Sequence, residues 1–145
     1  MHGVGMCLYY VVMYVGVGHG VGAALNVHEG PHSISRALIA QPLVAGMIVS
    51  NEPGYYEEGN FGIRIENLLM VVKKEGLGEY RGRSFLGFER LTHIPIQKKM
   101  IQYDLLTTNE VLWLNNYHAS IREKVMPLLR SDGAKAWLHT STEPL

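Results

Sequence analysis

Residues 45–67 read AGMIVSNEPGYYEEGNFGIRIEN, and the fold class turns on them. The run Leu43–Ser50 is apolar and rich in β-branched residues and stops at Pro53-Gly54, which predicts a strand leading into a turn. Tyr55–Asn60 is expected to be an exposed loop. Phe61–Val72 (FGIRIENLLMVV) predicts a single strand of about a dozen residues, long enough that it must bend. Arg64 and Glu66 stand two apart in it, so both point to one face.

Downstream, residues 73–84 (KKEGLGEYRGRS) are polar and glycine-dotted, as expected of a hairpin loop, and Phe85–Ile96 returns to extended character. Thr107-x-x-Glu110 is a capping box, in which hydroxyl and carboxylate satisfy the orphan N–H groups at a helix start. The helix it opens aligns Val111, Leu114, Tyr117, Ile121 and Val125 on one stripe, for packing on the sheet with some dimer contact. Pro127 is expected to kink or end that helix, and a short helix over Ala134–His139 follows Gly133. Upstream, Gly30-Pro31 forces a turn or loop. Strands and turns dominate to about residue 86 and helix thereafter, an α+β layout.

The 145 residues carry 13 Lys plus Arg against 13 Asp plus Glu, so the balance is zero and gives no broad surface for nucleic acid. Cys7 stands alone, which excludes an internal disulfide and fits a core thiol in a reducing, cytoplasmic setting. Residues 3–18 are uncharged, but at 16 residues the run is shorter than the ~20 that span a bilayer. It also lacks a basic leader and holds several glycines, so a buried strand or core helix suits it better than a membrane anchor.

His19, Glu52 and Glu66 could converge. An imidazole and two carboxylates suit Mn, Zn, Fe or Co, and two such ions can polarise a carbonyl and activate water. The separations, 33 and then 14 residues, match no short local motif. Gly18-His19-Gly20-Val21-Gly22-Ala23 formally satisfies G-x-G-x-x-A, yet positions 36–44 (RALIAQPLV) offer no acid for a ribose, and a dinucleotide site is rejected.

GHGVG (18–22), NVHEGP (26–31), AGMIVSNEPGYY (45–56) and FGIRIEN (61–67) together resemble the catalytic half of a cytosolic-type Xaa-Pro aminopeptidase, one of the pita-bread metallopeptidases. FERLTHIPIQKKMI (88–101) and WLNNYH (113–118) resemble the C-terminal extension of the same enzymes. The resemblance runs in order over about residues 16–140 and leaves out the first fifteen. It implies a partial pita-bread fold with a curved antiparallel sheet. Residues 1–86 would be the C-terminal half of the catalytic domain, and residues 87–145 its helical extension.

The resemblance also implies a binuclear site, usually of manganese, in an enzyme that hydrolyses the bond between an N-terminal residue and proline by metal-activated water. By position, His19, Glu52 and Glu66 would be metal ligands, with Glu52 also the proton shuttle and Glu66 the bridging carboxylate. Arg64 would orient a ligand carboxylate. His28 would hydrogen-bond substrate or the tetrahedral oxyanion, although it could instead bond only the backbone of the Gly30-Pro31 turn. Tyr55 and Tyr56 would pack near the site. His32, His93, His118 and His139 receive no role.

The family's two aspartate ligands have no counterpart, because the chain's only aspartates are Asp104 and Asp132. Val15 stands where the family commonly places a substrate-contacting histidine. Three remaining ligands could hold at most one ion weakly, so the chain alone is expected to be inactive or nearly so. The alternative is a non-catalytic pita-bread-like module that binds a partner through its helical tail.

Overall fold

The computed structural model describes residues 18–24, 26–35 and 38–145. The expectations for the apolar run 3–17, Cys7 and Val15 lie outside these residues. The described chain forms two compact units, residues 18–92 and 93–145.

The first unit is built of antiparallel pairs. Strand β1 (Gly18–His19) pairs with β2 (Ser33–Ile34), and Gly20 bridges to Val49 in β3 (Ile48–Asn51). The main sheet has β6 (Asn67–Lys73) at its centre, flanked by β3 and by β9 (Leu86–Arg90). Val49 and Val71 are its buried apolar residues, and Val71 donates its N–H to the Met47 carbonyl at 2.8 Å. The chain between β6 and β9 makes a small hairpin, β7 (Glu79–Tyr80) with β8 (Arg83–Ser84), so residues 73–84 contain two short strands inside the expected loop.

Two sequence expectations are corrected here. Tyr55–Asn60 is not all loop. Strand β4 (Gly54–Glu57) pairs with β5 (Phe61–Arg64), and only Glu58–Asn60 turn. Gly59 supplies the positive φ of 72° on which a three-residue hairpin loop of this kind closes. The glutamates and asparagine that made the segment read as loop are the tip and one edge of this hairpin. Phe61–Val72 is not one strand either. It breaks at Ile65-Glu66, and its halves pair with different neighbours, Phe61–Arg64 with β4 and Asn67–Lys73 with β3 and β9. Both halves have strand-forming composition, so composition alone does not show that they pair with different neighbours.

The second unit is helical. Thr107 caps α1 (Thr108–Val125), its hydroxyl accepting from the Glu110 N–H while the Glu110 carboxylate accepts from the Thr107 N–H, the expected capping box. Leu114, Tyr117 and Ile121 of the stripe are buried, and Val125 packs beside them. The helix ends at Val125, and Pro127 sits in a 3-10 turn over Met126–Leu128. Helix α2 (Asp132–Ser141) starts earlier than expected because Ser131 caps it, so that Gly133 falls inside its first turn. Leu138 of α2 completes the core against Ile96, Ile101 and Leu129. Among the described residues no helix is long and apolar enough to cross a membrane.

Candidate metal centre

The site lies where β3 and β6 meet at one end. Their register pairs Asn51 with Asn67, so Glu52 leaves one strand just as Glu66 precedes the other. The Ile65 N–H donates to the Pro53 carbonyl at 3.3 Å, which keeps Glu66 beside the Pro53 turn. His19 arrives from β1, laid so close to β3 that a Cβ on Gly18 would collide with the Ser50 carbonyl oxygen. Glycine is therefore required for the ring to reach the carboxylates.

His19 Nε2 is 3.0 Å from Glu52 Oε1, and one donor atom from each of His19, Glu52 and Glu66 fits within a 4.8 Å group. The Glu52 side chain is 9% exposed and that of His19 25%, whereas Glu66 is 40% exposed. His19 Nδ1 lies 2.9 Å from the Gly20 carbonyl oxygen. A carbonyl only accepts, so Nδ1 donates there, and Nε2 is the nitrogen turned to the carboxylates, where it can donate to Glu52 or offer its lone pair to a cation. The lone-pair form, with two carboxylates beside it, fits a divalent cation of borderline hardness.

Arg64, at the end of β5, spans both acids: Nη1 is 3.3 Å from Glu52 Oε2 and Nε is 3.8 Å from Glu66 Oε2. The loop after β1 folds back through Gly20 N–H to His32 O and Glu29 N–H to Gly20 O, both 2.9 Å. This sets the exposed His28 ring against His19, centroids 4.3 Å apart. All five residues singled out in the sequence, His19, His28, Glu52, Arg64 and Glu66, are thus in one place. Tyr55 and Tyr56 pack within the β4–β5 hairpin, Tyr55 with its ring 5.8 Å from that of Phe61 and Tyr56 over Gly54 and Gly62. They are 42% and 43% exposed, and the Tyr55 hydroxyl donates to Glu57 Oε1. That contact and the Asn60 amide hold the Glu57 carboxyl below the usual carboxylate range.

Three residues escaped the sequence reading. Ser50, fully buried, donates its hydroxyl to Glu52 Oε1 at 2.8 Å and accepts from the His19 N–H at 2.9 Å. Its spacing of two from Glu52 along the strand direction was the available signal. His32, also without an assigned role, holds the Ile48 carbonyl through Nε2 at 2.9 Å. In the helical unit His118 is fully buried, and its Nε2 accepts from the Ile96 N–H at 3.1 Å. Burial first, then the charges of Lys98 and Arg122, push its pKa below the ordinary imidazole value.

The model for metallopeptidase family M24 matches residues 5–73, and that for the C-terminal region of peptidase M24 matches residues 84–145. The chain belongs to the M24 metallopeptidase family. The M24 match reaches back to residue 5, beyond the point near residue 16 where the resemblance was read to begin. Aminopeptidase P2 of Arabidopsis thaliana is 59% identical over 131 residues, 90% of this chain and 18% of that protein. Xaa-Pro aminopeptidase 1 of Dictyostelium discoideum is 45% identical over 135 residues, 90% of this chain and 21% of that one. The crystal structure of an X-prolyl aminopeptidase from Caenorhabditis elegans, described as a cytosolic enzyme with a di-nuclear active site, superposes with a TM-score of 0.77 at 38% identity. It covers 90% of this M24 chain, which in turn covers 21% of it. The chain thus spans about a fifth of the length of the relatives it matches.

Proposed function

We propose that this chain carries the histidine and two glutamates of the metal site of an Xaa-Pro aminopeptidase, which removes the N-terminal residue from peptides with proline second. What supports the reading is the convergence of His19, Glu52 and Glu66 from three separate elements within one 4.8 Å group. In this reading those three side chains are the ligands. A divalent cation, manganese by preference, supplies Lewis acidity and lowers the pKa of water at neutral pH.

The protein's own residues have distinct tasks. The Gly20 carbonyl holds the His19 tautomer with Nε2 turned to the carboxylates. Arg64 holds Glu52 and Glu66 in fixed orientation and balances part of their charge. Glu52 Oε2 shuttles the proton toward the leaving amine. His28, exposed beside His19, hydrogen-bonds the substrate carbonyl region. Residues 1–86 would belong to the catalytic domain and 87–145 to its helical extension. A cytoplasmic setting agrees with the description of the worm neighbour as cytosolic.

Three protein donors suffice for one ion, so the 145-residue chain is expected to bind one equivalent of Mn²⁺ and to leave Xaa-Pro peptides uncut. Isothermal titration of the wild type, His19→Ala and Glu66→Gln tests this. Binding that is present in the wild type and lost in both variants is expected. Binding unchanged by either substitution, or none in the wild type, overturns the reading.

A further inference from the structure

We propose that Ser50 is a positioning residue that sets Glu52 for metal binding, an inference that rests on the metal-site reading above. The Ser50 side chain is wholly buried, so its hydroxyl has only protein partners to choose from. The one proton has a good acceptor in Glu52 Oε1 at 2.8 Å; the His19 carbonyl, at 3.5 Å, is the poorer choice. A lone pair of the same oxygen accepts from the His19 N–H at 2.9 Å. A single atom therefore holds both the carboxylate of one candidate ligand and the backbone of another.

The arrangement acts on the last torsion of Glu52. Arg64 grips Oε2 and the Ser50 hydroxyl grips Oε1, so the carboxylate plane is fixed from both sides before any ion arrives. A ligand already oriented gives up little freedom on binding, which is how hydrogen-bonded partners behind metal ligands raise affinity. Without Ser50, Oε1 keeps only His19, a fellow ligand that must turn its nitrogen to the ion. The His19 N–H would also lose its acceptor in a buried setting. The coupling runs from β3, an outer strand of the main sheet, to β1.

The test uses Co²⁺, whose visible absorption reports the ligand field, added to the full chain as wild type, Ser50→Ala, Ser50→Val and Ser50→Thr. Valine has the shape of threonine without its hydroxyl and offers no metal ligand, and so covers the case in which alanine fails to fold. Metal-free melting temperature is followed in parallel. The expected result is a loss of Co²⁺ affinity of roughly 10–100-fold in the alanine and valine variants, with a shifted Co²⁺ spectrum, and recovery in threonine. A lowered melting temperature with unaltered Co²⁺ affinity and spectrum would make Ser50 merely structural and overturn the proposal. Failure of the metal-site reading looks different: the wild type itself then binds no Co²⁺, or binds it equally well after His19→Ala, and this inference falls with it.

Discussion

Substituting His118 by glutamine separates hydrogen bonding from titration inside the helical unit. The amide oxygen of glutamine can accept from the Ile96 N–H as the imidazole does, but it takes up no proton. In the wild type, protonation turns His118 Nε2 from acceptor to donor and leaves the Ile96 N–H facing another N–H. It also places a cation in a fully buried position near Lys98 and Arg122. Loss of the hydrogen bond and its buried partner is worth about 1–3 kcal/mol.

The sign follows from the lowered pKa. The unfolded chain takes up this proton near pH 6.5, whereas the folded chain resists it until lower pH. The full stabilisation is therefore present above about pH 6.5 and drains away as pH falls toward the folded value. Both tryptophans, Trp113 and Trp137, lie in residues 93–145, so urea unfolding followed by their fluorescence reports this unit alone. Between pH 7.5 and 5 the wild type should lose about 1–2 kcal/mol more than His118→Gln, the ceiling being set by the roughly 1.5 pH units below the unfolded value. His93 and His139 are present in both proteins and cancel in the difference. Parallel stability curves over that range would refute the reasoning.

Two further outcomes are expected. Thr107→Ala should lower the stability of the same unit by about 1 kcal/mol in urea unfolding, since the first turn of α1 loses its cap; no change would mean that the capping box is not maintained in solution. Gly18→Ala places a methyl group against the Ser50 carbonyl and should push β1 away from β3. Mn²⁺ affinity should then fall while the tryptophan-reported unfolding of residues 93–145 stays as in the wild type. Retained affinity would show that His19 reaches the carboxylates without that close approach.

The helical unit was the more readable part of the sequence, because its signals are local. A capping box, a stripe of apolar residues and a proline each act within a few positions, and each appears where expected. The core that Leu114, Tyr117 and Ile121 join is nevertheless made with Leu138, Ile96 and Ile101, where a sheet was expected. The strand region depends on pairing across the chain. Nothing within FGIRIENLLMVV marks that its first four residues join one hairpin and its last ones another sheet, because the decision is made by partners at Gly54–Glu57 and Ile48–Asn51. The candidate ligands were legible as a metal-suited set from their residue types, but their spacing carries no motif, and only the resemblance gave them roles. Ser50 and His118 were missed for a shared reason. A serine in a strand and a histidine in a helix look like surface residues until a distant segment covers them, β1 for one and the chain around Ile96 for the other.

The main sheet places its most protected hydrogen bonds and its candidate ligands at different points along the same strands. Val71 sits mid-strand in β6 with neighbours on both sides, while Glu52 and Glu66 stand just past the closing Asn51–Asn67 pair. Strand ends open at lower free energy than strand centres. In deuterium the Val71 amide should therefore outlast those at the Asn51–Asn67 end by a wide margin. An ion gripping Glu52 and Glu66 would act as a clasp on that end, slowing exchange there first and leaving the centre of the sheet unchanged.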